Sequence, residues 1–258
     1  MKKTKGKTPI PVKQISSVGG LVKEVEEAKA RERAKGNEAD LLFRGQPCDK
    51  PLLPYLGRCE VNGELPKIER LILDEFERMS MPFREFEPRN RWDLMALAQH
   101  HGLPTRLLDW TYSAVAALWF AVREPPKVKK NGKEFEDGVL WILCASTEDY
   151  RTKTSGTSPL ANKSRTLVFR PKAVSRRIVA QSGVFTVHRL QDSGEFVPLE
   201  RNKNYRGKLV KLVIPHGRFA IIRKELDMFN ANASVLQPDL DGLCSYLKGR
   251  YTKLEDEE

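Results

Sequence analysis

The sequence predicts an α+β fold around one core. Helical periodicity occupies the early and late parts of the chain and strand-like runs crowd the middle. That order differs from the regular strand–helix alternation of a parallel α/β protein. Composition agrees: of 258 residues, 40% are apolar and 31% charged. This supplies one sizeable core and carries too much charge for a membrane protein.

Taken in order, residues 1–15 are Lys-rich, contain Pro9 and Pro11, and read as a flexible leader. Residues 20–35 alternate acid and base. Leu21, Val22, Val25 and Ala28 stripe one side and Gly36 follows, as in a mostly exposed helix. Residues 41–46 read as a short strand, and Ile68, Leu71, Ile72, Phe76 and Met79 recur at helical spacing. Residues 92–101 form another helix, closed by Gly102 and Pro104. Residues 109–113 offer N-caps for a buried helix over 114–122, which Pro125-Pro126 stops. Charged residues 127–137 read as a hairpin loop before a strand at 139–144. Further strands are expected at 166–169, 178–181, 184–188 and 209–214, and helices at 218–230 and 240–247. The chain thus divides into a basic leader with an exposed helix (1–37), a main domain (38–250) and an acidic tail (251–258).

Several classes are set aside. The longest apolar run, 114–122, is about half of what a membrane-spanning helix needs, and no apolar stretch follows the charged N-terminus as in a secretory signal. Cys48, Cys59, Cys144 and Cys244 form no CxxC pair; Cys144 and Cys244 read as reduced core residues of a cytoplasmic protein. His100, His101, His188 and His216 lack ligand spacing, so no metal is expected.

The densest polar stretch is 99–113, with Gln99, His100, His101, Thr105, Arg106, Asp109, Trp110, Thr111 and Ser113 between two apolar helices. It reads as a site, because burying so many polar groups is costly unless each is paired. A structural turn accounts for it too: Gly102 as C-cap, Asp109 or Thr111 as N-cap, and an Arg106–Asp109 pair.

Phe43-Arg44-Gly45-Gln46, the run Ala98 to Thr111, Ala180 to Phe185 and Gln237 to Leu243 resemble the FRG domain, in order, from about residue 38 to 248. A weaker resemblance is to ADP-ribosyltransferases. Arg44-Gly45 is similar to their first-strand motif, Thr111-Tyr112-Ser113 before Ala117-Leu118-Trp119-Phe120-Ala121 to their second, and Gln181 to the third, strand-borne position. The resemblance implies a mostly antiparallel split sheet flanked by helices, with NAD as substrate and no metal. Arg44 would clamp the pyrophosphate with its fork, Gly45 would admit the nicotinamide amide to the backbone, and Thr111 or Ser113 would hold the ribose or orient the third residue. The family places Glu where this chain has Gln181, which is a poor base. Asp109, His100 or His101 would supply the proton acceptor, or Glu195 a displaced carboxylate. Each residue also has a plainer reading: Arg44 in a buried ion pair, Thr111 and Ser113 as helix caps, Gln181 beside a bulge.

Lys and Arg exceed Asp and Glu by 11 charges. Arg151, Lys153, Lys163, Arg165, Arg170, Lys172, Arg176 and Arg177 form a stretch able to follow a phosphate backbone. An RNA or DNA acceptor is therefore expected. The resemblance further implies a bacterial toxin or anti-phage effector held by an antitoxin partner. Two rivals stand beside it: a metal-independent ribonuclease using His100 or His101 with Arg106, and a non-enzymatic nucleic-acid-binding module.

Overall fold

The computed structural model describes residues 9–84, 87–129, 132–152, 154, 157–161, 165–171 and 179–257. Their elements are β1 (Val12–Gln14), α1 (Val18–Ala34), β2 (Ala39–Gln46), α2 (Leu65–Met79), α3 (Arg91–His100), β3 (Leu107–Thr111), α4 (Ala114–Val122), β4 (Gly138–Ser146), β5 (Leu167–Phe169), β6 (Gly183–Val187), β7 (Leu209–Ile214), α5 (Phe219–Met228), α6 (Ala233–Leu236) and α7 (Leu240–Tyr251). The strands build one open seven-stranded sheet in the order β1-β7-β4-β2-β3-β6-β5. All pairings are antiparallel except β1 with β7. The fold is α+β, as the sequence predicts.

The expected split is a near-parting rather than a break. β2 and β3 are joined by the single pair Phe43–Thr111, whereas β2 runs against β4 from Ala39 to Gln46. Because paired residues share a face, this one pair aligns the two halves. On the shared face, Leu41, Phe43, Leu140, Ile142 and Leu212 pack under α1, α4 and α5. Leu107, Phe169, Phe185 and Val187 continue it with Leu73, Trp92 and Met95 of α2 and α3. The opposite face buries Leu42, Leu108, Trp110, Trp141 and Leu143 under Leu52, Leu199 and Tyr205 from connecting segments. With both faces covered, β4 is apolar nearly throughout and lacks polar alternation.

Helix ends follow their sequence signals. Ser17, Asn90, Ser113 and Asp239 cap α1, α3, α4 and α7 with their side chains. Gly36 and Gly102, at φ +72 and +84, stand just beyond α1 and α3.

Four expectations change. Residues 12–14, expected within a flexible leader, form edge strand β1 against Lys211 to Val213. Residues 107–111, read as part of a polar turn, are strand β3, in which only Asp109 is exposed. The strand expected over 178–181 is not seen at its described residues, 178 lying outside them: residues 179–180 are helical, and a turn through Ser182, at φ +48, leads into β6. Cys244, expected in the core, is exposed on α7, while Cys144 is buried. Among the described residues, no helix is long and apolar enough to cross a membrane.

Candidate functional site

Where β2 and β3 part, the sheet leaves a cavity of about 260 Å³. It is lined by Phe43, Arg44 and Gly45 of β2, Asp109, Trp110 and Thr111 of β3, and Gln99 and His100 at the end of α3. Phe120 of α4 and Gln181, Gly183 and Phe185 around the start of β6 complete it. Gly45 sets how closely α4 lies on β2, since a Cβ there would stand 1.8 Å from the Ala117 carbonyl oxygen. The glycine is thus needed for helix–strand contact. Across the cavity, Thr111 pairs with Gly183 and Asp109 with Phe185 in the β3–β6 ladder.

Arg44 spans the gap between the strands. Its Nη1 donates to the Asp109 carbonyl at 2.8 Å and lies 3.5 Å from Asp109 Oδ2. In a continued ladder that carbonyl would face β2, so the guanidinium stands in for the missing strand contact. The side chain is 17% exposed and its Nε is buried without a hydrogen-bond partner. Burial pushes its pKa below the ordinary value, with Asp109 pulling the other way. The cation is therefore desolvated more than it is paired, an environment that favours an anion.

Asp109 is the carboxylate among the lining residues, and it is held from two sides. Gln99 Nε2 donates to its Oδ1 at 3.0 Å. Gln99 Oε1 in turn accepts from the Thr105 hydroxyl at 2.7 Å. Thr105, 3% exposed, also accepts the Leu107 N–H at 3.1 Å. Its hydroxyl proton therefore goes to Gln99, which fixes the amide so that the NH₂ end faces the carboxylate. Sequence reasoning placed Gln99 and Thr105 in the polar stretch but gave them no role; their spacing around Gly102 was the available signal.

Thr111 and Ser113 are occupied locally. The Thr111 hydroxyl donates to the Gln181 carbonyl and accepts the Ser113 N–H at 2.9 Å. Ser113 caps α4 by accepting the Ala116 N–H at 3.1 Å and is not among the lining residues. Gln181 reaches the cavity from the turn before β6, and its Nε2 donates to the Leu236 carbonyl at 2.8 Å. His101 lies outside the lining, exposed, its ring edge-on to His100 at 4.8 Å. Glu195 is exposed and is not among the lining residues.

The expected Arg106–Asp109 pair does not form. Arg106 and Glu69 are each 3% exposed and joined by both carboxylate oxygens, one at 2.7 Å. That bidentate pair ties β3 to α2 and withdraws Arg106 from any phosphate in the cavity. On the opposite face, Trp110 Nε1 donates to Thr186 Oγ1 at 3.0 Å, which meets His188 Nε2 at 3.2 Å. Burial drives His188 down to about 3, leaving it neutral.

The basic stretch is partly tied down. Arg165 donates to the Glu148 carbonyl, and Arg170 to Tyr112 Oη at 2.7 Å and Asp40 Oδ2 at 2.6 Å. Arg170 also lies 4.2 Å over the Tyr150 ring. Lys172, Arg176 and Arg177 lie outside the described residues. Among the described residues no cluster of three His, Cys, Asp or Glu is placed to hold a metal ion.

Residues 39–130 match the FRG domain family. That span runs from β2 past α4 and supplies Phe43, Arg44, Gly45, Gln99, His100, Asp109, Trp110, Thr111 and Phe120 to the cavity. Gln181, Gly183 and Phe185 come from beyond it; the match does not reach residues 180–185 or 237–243, where the resemblance is also expected. No curated protein and no solved structure gives a significant match to the chain.

Proposed function

We propose that the cavity between β2 and β3 binds NAD and that the protein transfers ADP-ribose from it to a macromolecule. One observation supports this reading: Arg44-Gly45, Thr111 and Gln181, one from each of the three segments that resemble ADP-ribosyltransferase motifs, are far apart in the chain and line one cavity.

The residues fit the group. Arg44 is desolvated, with an unpartnered Nε, and suits a phosphate oxygen. Phe43, Phe120 and Phe185 line the cavity with aromatic residues suited to a flat heterocycle. At about 260 Å³ the space takes a nucleoside-sized part, just below the ~300–1,000 Å³ usual for whole ligands. The rest of a dinucleotide would lie along the open cleft.

When bound, NAD supplies a glycosidic bond to a good leaving group. Arg44 holds the anionic end and balances the charge of Asp109. Asp109, oriented by Gln99 and Thr105, is the lining group able to stabilise developing positive charge or to take a proton from an acceptor hydroxyl. Gln181 contributes through position: its carbonyl anchors Thr111 and its amide anchors α6. The excess of 11 positive charges supports a polyanionic acceptor, RNA or DNA, although Arg165 and Arg170 already serve contacts within the chain.

The test is to incubate the protein with NAD labelled in its adenylate half and a cell lysate, then digest separately with protease and nuclease. Label in nuclease-sensitive material is the expected result. Shortened RNA without NAD consumption would instead support the ribonuclease reading, with His100 or His101 as acid or base.

A further inference from the structure

Helix α7 presents a second surface, unconnected with the cavity. Its inner side is pinned. Asp239 accepts the Gly242 N–H at 2.7 Å, and a Cβ at Gly242 would stand 1.9 Å from the Gln237 carbonyl oxygen. One turn on, Tyr246 packs against the core beneath α4 and α5. At about 100° per residue, Gly242 and Tyr246 mark the inward side. Leu240, Cys244, Leu247 and Tyr251 fall on the side away from it, with Leu243 at the edge between the two. Leu240 is 78% exposed, Leu243 43%, Leu247 41% and Tyr251 77%, and Cys244 is exposed as well. Apolar residues at this spacing form the seam of a helix that packs on another helix. A continuous outward seam marks an interaction site, whereas single exposed apolar residues do not.

The charges beside the seam decide what covers it. Asp241 and Lys248, seven positions apart, lie on one flank of the helix. If two copies of α7 pack antiparallel about a two-fold axis near Ser245, like flanks face each other. Asp241 of one copy then stands about 1.5 Å along the helix from Lys248 of the other, and symmetry repeats the pair. A parallel two-fold pairing would set this flank against the opposite one, which bears Arg250, so that no Asp241–Lys248 pair forms. We infer that α7 is a self-association surface on which a second copy of this chain docks antiparallel. A lipid surface would want a basic rim along the whole seam, and here an acid sits in the first turn. The helix covers 12 residues, Leu240–Tyr251, or about 18 Å. The contact is therefore small and its affinity is of micromolar order.

Sedimentation of the full chain over roughly 1–300 μM tests this. The expected result is a monomer–dimer equilibrium that Leu243→Glu with Leu247→Glu abolishes at an unchanged melting temperature, since both positions are exposed. Asp241→Lys alone, or Lys248→Asp alone, raises the dimer Kd by about tenfold. The two together restore it, because the exchanged charges meet again only in the antiparallel pair. A chain that stays monomeric across the range overturns the inference. So does a dimer whose charge exchange fails to restore affinity. Seam-dependent flotation of a monomeric chain with phosphatidylserine vesicles also overturns it, and gives the seam to lipid.

Discussion

Arg44 carries more of the account than any other side chain, because two demands meet on it. It replaces a strand contact at the Asp109 carbonyl, and in the proposed function it also holds the pyrophosphate of NAD. Arg44→Lys keeps the charge but loses the planar fork. With Arg44→Lys, NAD turnover should fall by about tenfold or more, the loss of roughly 1.4 kcal/mol or more of charge-assisted bonding. A drop in melting temperature with unchanged turnover per folded molecule would make Arg44 a strut between strands and nothing else. At this scale the sequence was legible where a side chain's chemistry is unusual for its setting. Arg44, Asp109, Thr111 and Gln181 all stand at the cavity. It was illegible where the partner is remote: nothing near Arg106 announces Glu69, 37 positions earlier, and an Asp three residues away looked the nearer match.

Among elements, the contact of α4 with β2 depends on Gly45. Gly45→Ala would push a methyl against the Ala117 carbonyl, 1.8 Å away, and should cost about 3 kcal/mol by forcing the helix off the strand. Gly102→Ala meets nothing within 4 Å but holds φ +84, so its cost should be backbone strain alone, about 1 kcal/mol. Urea unfolding of the two variants side by side measures the difference. Equal losses would mean that α4 can slide on the sheet. Helices are legible because their periodicity and caps are local: α4 has the expected bounds, and α3 is displaced by one residue. β3 was not read because Asp109 interrupts its apolar pattern, and that interruption is the cavity itself. The residues before β6 misled in the other direction, since Ile178 and Val179 favour strand while Ser182 reverses the chain at φ +48.

For the whole molecule, His188 links the sheet to pH. Its folded pKa of about 3 lies below the unfolded value of about 6.5, so the unfolded chain binds the extra proton between them. Stability from this group is complete above about pH 6.5 and is lost progressively as pH falls toward 3, by up to a few kcal/mol. Melting temperatures should decline between pH 7 and 4.5, and less steeply in His188→Gln. Parallel curves would show that His188 is solvated on opening and uncoupled from folding. Fold class was legible at this scale from the order of periodicities. The near-parting of the sheet was not readable from periodicity, since it depends on one ladder pair, Phe43 with Thr111, between strands 68 positions apart. The cavity exists because of that parting, and it is where the functional reading stands or falls. Titration calorimetry of NAD into the wild-type chain and into Arg44→Ala decides it. Saturable binding to the wild type, weakened at least about tenfold in a folded Arg44→Ala, is the predicted result. Absence of binding to the wild type, or equal affinity in the two, would contradict it.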